Sequence, residues 1–141
     1  MKIVVSNPED GKSYQKELEE GQAKTLHGKK IGEAVKGDGI GLAGYELVLT
    51  GGSDKEGFPM RNDFHGTSRK RLLVETGPGY RPTNKGERQR KSIRGNTIAD
   101  DIAQVNLKVA KAGKDALDKI IISAPKTEKP AAPAPAKKGK K

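Results

Sequence analysis

The sequence contains no cysteine and no tryptophan. Without cysteine there is no disulfide, no thiol chemistry and no cysteine-based zinc site. Histidine is nearly absent too. His27 and His65 are the only two, and neither lies in an H-E-x-x-H pattern. Two isolated histidines do not form the convergent, oriented ligand set that a metal centre or a catalytic triad requires. Long apolar runs are missing. The apolar stretch near the N-terminus, Ile3-Val4-Val5, is too short for a secretory signal. No segment approaches the roughly 20 apolar residues that span a bilayer. The expectation is a soluble, cytoplasmic protein without membrane contact. Hydrophobic residues make up 32% of the chain and aromatic residues 4%, so the core is thin. Such a core points to stability borrowed from a bound partner, which shifts the folding equilibrium by mass action.

Catalytic motifs are also lacking. There is no nucleophile elbow, Walker loop or EF-hand loop. Gly39-Ile40-Gly41-Leu42-Ala43-Gly44 matches G-x-G-x-x-G. In a dinucleotide-binding fold that loop follows a strand and opens a helix, so that helix amides meet the pyrophosphate. Here a candidate helix precedes and a strand follows, which makes the motif a glycine-rich bend. Asp54 and Glu56 have no third acid at motif spacing, and Asp54 reads as a turn residue. No enzymatic activity, cofactor, metal or small-molecule substrate is expected.

Glycine and positive charge are what the chain has in excess. Its 18 glycines are about twice the usual share, near 7%. They punctuate short runs that read as strands: 2–6, 13–19, 45–50, 69–75 and 105–110. Leu26, Ile31, Ala34 and Val35 are loosely helical in spacing and predict a short helix over 29–36. Residues 51–60 read as a loop, in which Gly51, Gly52 and Gly57 shape the chain. Asp54 bonds turn amides there, and Phe58, Pro59 and Met60 anchor the loop. Residues 61–68 are irregular, 77–79 form a hard turn, and 91–98 are extended with a break at Gly95. A terminal helix or extended exit covers 115–122. From residue 124 the composition is alanine, proline and lysine without hydrophobic periodicity, a disordered tail. The fold class is mainly β: a small glycine-rich β-barrel with one or two short helices. It forms one domain over 1–123, followed by the tail 124–141.

The formal net charge of +10 is unevenly spread. Residues 1–68 carry nine basic and eleven acidic side chains, whereas residues 69–94 carry nine and two. The tail from 126 onward carries six and one. The densest segment, 79–95, has six cations (Arg81, Lys85, Arg88, Arg90, Lys91 and Arg94) against the single acid Glu87. Unpaired arginine and lysine are almost never fully buried, so this segment supplies no core. The simplest neutraliser is a phosphate backbone, which releases condensed counterions on binding. In the strand before it, Arg69 and Arg71 point to one side and Lys70 to the other. Two cations on one open face beside 81–94 make a continuous patch. Tyr80 either stacks on a base or ribose or folds back onto the barrel.

Three stretches together resemble the small-subunit ribosomal protein family S6e, shared by archaea and eukaryotes. The first is Leu49-Thr50-Gly51-Gly52-Ser53-Asp54-Lys55-Glu56-Gly57-Phe58-Pro59-Met60. The second is Arg69-Lys70-Arg71-Leu72-Leu73. The third is Gly79-Tyr80-Arg81-Pro82 with Gly86-Glu87-Arg88-Gln89-Arg90-Lys91-Ser92-Ile93-Arg94-Gly95. The likeness covers residues 1 to about 112. It implies a β-barrel that is a structural, non-catalytic part of the small ribosomal subunit. Its partners would be small-subunit ribosomal RNA and neighbouring ribosomal proteins. The RNA-facing residues would be Arg69, Lys70, Arg71, Tyr80, Arg81, Lys85, Arg88, Arg90, Lys91 and Arg94. After residue 112 the chain lacks the long basic helix and terminal serines of the eukaryotic members and resembles the compact archaeal form. A free-standing RNA- or DNA-binding regulator on a small barrel is the alternative.

Overall fold

The structure, a computed structural model, describes residues 1–113 and Leu117. Its elements run β1 (Lys2–Asn7), β2 (Lys12–Glu17), α1 (Glu20–Ala23), β3 (Ala34–Lys36), β4 (Glu46–Asp54), β5 (Arg69–Val74), β6 (Gln89–Arg94) and β7 (Ile102–Lys111). The period of two expected of a one-sided strand is clearest in β1, where Ile3 and Val5 are fully buried and Lys2 is exposed. Asn7 closes the turn that follows. Its Nδ2 donates to Asp10 (2.6 Å) and its Oδ1 accepts from the Glu9 amide (3.2 Å). The chain then returns as β2, antiparallel to β1. β7 pairs in parallel with the other edge of β1, and antiparallel β4 and β3 complete the order β2-β1-β7-β4-β3. The core lies on one face of this sheet. It takes Leu47 and Leu49 from β4 and Val105 and Leu107 from β7, with Leu26, Ile40, Ile98 and Leu117 closing over them. Each such aliphatic side chain contributes about 1.5–3 kcal/mol when fully buried.

The fold is mainly β, as expected, but the sheets do not close into a barrel by continuous pairing. β5 and β6 form a separate two-stranded ribbon. Single bridges complete the circuit. Met60 pairs with Gly52 of β4 and bridges Arg94 at the end of β6, while Lys30 bridges Thr97. The ribbon is therefore rooted in the core at one end and projects from it at the other.

The helix expected over 29–36 is not there. The helix is α1, Glu20–Ala23, which ends before the expected range begins and contains Gly21. Residues 30–33 form a turn, closed by the Glu33 amide on Lys30 O (3.1 Å), and 34–36 are the strand β3. The Ile31 amide donates to Asn96 O (3.0 Å) and the Gly32 amide to Leu49 O (2.8 Å), and β3 then pairs with β4. Cross-chain partners consume the backbone groups that a helix would bond internally, and Gly32, at φ 95°, is outside helical geometry. The bend at 39–44 is a bend in fact. A 3-10 turn, Gly37–Ile40, precedes it, Asp38 accepts the Gly44 amide (2.8 Å), and the Lys16 ammonium rests on the carbonyls of Ile40 and Gly41. A lysine seated on carbonyls is the opposite of a phosphate cradle.

The expected loop over 51–60 begins too early. β4 runs on through Gly51 and Gly52 to Asp54, with Gly52 opposite Val105. Gly52 serves close approach rather than turning, since a Cβ there would lie 2.5 Å from Gln104 O, whereas Gly51 sits in open space at a shift of register between β4 and β7. The true turn is 54–58. The Gly57 amide bonds Asp54 O, the Asp54 amide bonds Phe58 O, and Gly57 has φ 85°. The terminal helix or exit over 115–122, apart from buried Leu117, and the tail 124–141 lie outside the described residues. Among the described residues no helix is long and apolar enough to cross a membrane.

Candidate nucleic-acid interface

The register of the ribbon decides which side chains share a surface. Arg69 lies opposite Arg94, Arg71 opposite Ser92 and Leu73 opposite Arg90. Directly opposed residues of an antiparallel pair point to the same side. One face therefore carries Arg69, Arg71, Leu73, Arg90, Ser92 and Arg94. The other carries Lys70, Leu72, Val74, Gln89, Lys91 and Ile93. Burial follows this division only in part, since Arg94 is buried on the first face and Lys70 and Gln89 are exposed on the second. Val74 and Ile93 are buried on the second face, while Arg71, Leu73 and Arg90 are exposed on the first.

The root of the first face is neutralised by the protein itself. Asp54 Oδ2 accepts from Arg94 Nη1 (2.8 Å) and from Arg69 Nη2 (2.6 Å). Arg94 Nη2 also reaches Asp101 (3.2 Å), and Arg69 pairs with Glu56 and stacks its guanidinium 4.6 Å from the centre of the Phe58 ring. Asp54 is 3% exposed and Arg94 5%. Burial by itself would push the Asp54 carboxyl up. The hydrogen bonds from Arg69, Arg94 and the Lys55 amide outweigh burial and hold it below the ordinary carboxylate range. Arg94 and Arg69, both expected on RNA, thus have internal partners. Of the ten residues expected on RNA, these two have their charges met by carboxylates at the ribbon's base, and Arg94 is also buried. Segment 79–95 is likewise not wholly coreless, since Ile93, Arg94 and Gly95 are buried.

The irregular loop 61–68 is clamped to the end of β6 by Asn96, which is 3% exposed. Its Oδ1 accepts from the Gly66 amide (3.3 Å) and its Nδ2 donates to Asn62 O (3.3 Å), with His65 Nδ1 3.2 Å away. Gly95 permits the contact: a Cβ there would stand 1.9 Å from Gly66 O. Replacing Gly95 with alanine forces the two backbones apart. The expected loss is about 1–3 kcal/mol of stability, as for other overpacked sites, read as a lower urea midpoint. An unchanged midpoint would show that loop 61–68 yields freely.

The second face rests on aromatic rings. The Lys70 ammonium lies 5.6 Å from the centre of Phe64 and the Lys91 ammonium 5.8 Å from that of Tyr80. Tyr80 lies against the ribbon, beneath the Lys91 ammonium. Its buried hydroxyl makes no hydrogen bond of normal geometry. Burial, and secondarily the nearby Glu87 carboxylate, hold its pKa above the usual tyrosine value. Glu87 itself accepts from the Asn84 amide (3.3 Å), shaping the loop between the strands.

Nine cations were expected at the interface. Among the described residues seven of them make no ion pair: Lys70, Arg71, Arg81, Lys85, Arg88, Arg90 and Lys91. All lie on the ribbon or the loop joining its strands. Asp54 does bond one turn amide, that of Lys55 (2.6 Å), and Met60 is buried as an anchor. Sequence reasoning missed Asp101, Asn96 and Phe64. Nothing local marks Asp101 or Asn96, whose partners lie in other segments. No group of three or more histidine, aspartate or glutamate side chains able to hold a metal occurs among the described residues.

Residues 1–122 match the family model described as Ribosomal protein S6e. The chain is 54% identical over 119 residues to the small ribosomal subunit protein eS6 of Methanosphaera stadtmanae, covering 84% of this chain and 90% of that protein. It is 48% identical over 120 residues to the protein of the same name from Methanocaldococcus jannaschii, covering 85% and 89%. The counterpart from Archaeoglobus fulgidus is also 48% identical over 120 residues, covering 84% and 93%.

Proposed function

The chain belongs to the ribosomal protein S6e family, and from that premise we propose that it is a structural constituent of the small ribosomal subunit, held on ribosomal RNA by the cations of its ribbon and loop. Arg71, Arg81, Lys85, Arg88 and Arg90 contact phosphates. Lys70 and Lys91 add to the field of the ribbon while resting on their rings. Arg69 and Arg94 hold the root of the ribbon rather than the RNA. Neighbouring ribosomal proteins complete its surroundings, its place is the cytoplasm, and its role is architectural rather than catalytic.

One observation carries this reading: the two cations with carboxylate partners, Arg69 and Arg94, sit at the root of the ribbon, and the seven without partners run from there along its strands to the far loop. Solubility alone would not need that segregation. A phosphate backbone supplies the missing anions and gains from counterion release. Most contacts are to backbone and shape, because base edges in the deep groove of A-form RNA are out of reach of side chains. Sucrose-gradient sedimentation of a lysate in low salt, probed for the protein, tests the assignment. The protein is expected in the small-subunit fractions. Recovery only at the top of the gradient would favour a free-standing nucleic-acid-binding regulator.

A further inference from the structure

We infer that the ribbon reads double-helical RNA, and does so with one face: Arg71, Leu73, Arg90 and Ser92 lie across the shallow minor groove. The inference rests on the RNA-binding role proposed above and concerns the kind of RNA and the side of the ribbon.

Single-stranded nucleic acid is held chiefly by bases stacking on exposed aromatic rings. This chain has five aromatic residues, and none is free for that work. Phe58 lies beneath the Arg69 guanidinium, Phe64 beneath the Lys70 ammonium and Tyr80 beneath the Lys91 ammonium. All three rings are half-buried besides. Tyr45 is 5% exposed in the core and Tyr14 packs against it. A surface with many cations and no open ring suits a partner whose bases are already stacked on each other.

The face itself supplies the second observation. Leu73 is 57% exposed, the one large hydrophobic so exposed among the described residues, and it lies on the face carrying Arg71 and Arg90. Arg90 is its direct cross-strand neighbour, and Ser92 stands opposite Arg71. A two-stranded surface with arginines flanking a leucine complements a groove that has phosphates at its rims and riboses between them. The A-form minor groove is wide and shallow and displays 2′-hydroxyls. The arginines take phosphates, Leu73 packs on ribose, and the Ser92 hydroxyl can bond a 2′-hydroxyl. The opposite face cannot do this, because its lysines lie over rings and its aliphatic side chains Val74 and Ile93 are buried.

Fluorescence anisotropy with the full chain tests this against three probes of one sequence: an RNA duplex, an RNA single strand and a DNA duplex. The RNA duplex is expected to bind most tightly, by about tenfold or more over the single strand, as shape readout of A-form RNA implies. Arg71→Gln with Arg90→Gln should lower duplex affinity and flatten its salt slope by about 1.4–1.8, two phosphate contacts' worth. Leu73→Ala should weaken duplex binding with the slope unchanged. Lys70→Gln with Lys91→Gln should change it far less than the arginine pair. Thermal unfolding of each variant checks that the exposed substitutions leave the fold intact. Equal or tighter binding of the single strand or the DNA duplex would overturn the inference. So would equal losses from the two faces. An unaffected Leu73→Ala would assign the leucine to a protein neighbour and overturn it as well. Binding to RNA without duplex preference sinks only this inference, whereas failure to bind any RNA sinks the function it rests on.

Discussion

Replacing Asp54 with asparagine should destabilise the protein by about 3–5 kcal/mol, the usual cost of removing one member of a buried ion pair. The side chains keep nearly the same shape, so packing does not account for a loss of that size. What changes is charge. Arg94 is 5% exposed and its guanidinium has two carboxylates within reach, Asp54 at 2.8 Å and Asp101 at 3.2 Å. Asp101 is itself largely exposed, and cannot replace a partner buried alongside the arginine. Arg94 Nε is already buried without a hydrogen bond, so the side chain has no reserve. Urea denaturation measures the loss. A change below about 1 kcal/mol, the worth of a surface ion pair, would show that solvent reaches the cluster and that it is not a buried hub. A double-mutant cycle sharpens the result. Asp54→Asn combined with Arg94→Gln should lose less than the sum of the single changes, because no orphaned charge remains.

The same carboxylate makes stability depend on pH. Its folded pKa lies below the ordinary aspartate value. A depressed folded pKa contributes stability that is fully present above the unfolded pKa and is lost as pH falls through the folded one. The native protein should therefore weaken below about pH 4, near the unperturbed aspartate value. The Asp54→Asn protein lacks this contribution, so the two stability curves should converge with acidification. Curves that stay parallel down to pH 2 would show that Asp54 is not the group that titrates.

Replacing Arg81, Lys85 and Arg88 together with alanine should lower RNA affinity on the order of a hundredfold near 0.1 M salt. It should also reduce the slope of log K against log salt by about 2–3. Each lost phosphate contact accounts for roughly 0.7–0.9 of that slope. These three side chains are exposed on the loop between β5 and β6 and make no ion pair among the described residues. Folding should be nearly untouched, since surface substitutions away from caps and buried groups stay within about 0.5 kcal/mol. The two measurements separate the ribbon's parts. Asp54→Asn should act on stability and leave the salt slope of the remaining folded protein in place, whereas the loop variant should do the reverse. A loop variant with an unaltered slope would remove the loop from the interface. The cations would then have to be neutralised elsewhere.

The excess of cations that makes up the candidate interface was legible in outline because like charge is a local property. Nine cations against two acids over 69–94 show in the sequence whatever the fold. A strand with strict alternation was legible for the same reason: Val105, Leu107 and Val109 in β7 state their buried side within a few residues. The errors fall where a segment's fate depends on a distant one. Over 29–36 the spacing of Leu26, Ile31 and Val35 fitted a helix, but the backbone groups of Ile31 and Gly32 found partners in Asn96 and Leu49. At Gly52 the sequence shows glycine, and glycine means either a turn or a close approach. Only the position of Gln104 across the sheet distinguishes the two.

By itself the sequence determined that this protein is β-rich, thin-cored, free of thiol chemistry and cationic along one stretch. Each of these follows from residue type and near-neighbour spacing. Only the tertiary structure decided which cations remain available. Asp54, some 15 and 40 residues distant in the chain from Arg69 and Arg94, neutralises both at the root of the ribbon. Coulomb attraction acts through space and not along the chain, so no local pattern could separate arginines that hold the fold from arginines that face a partner.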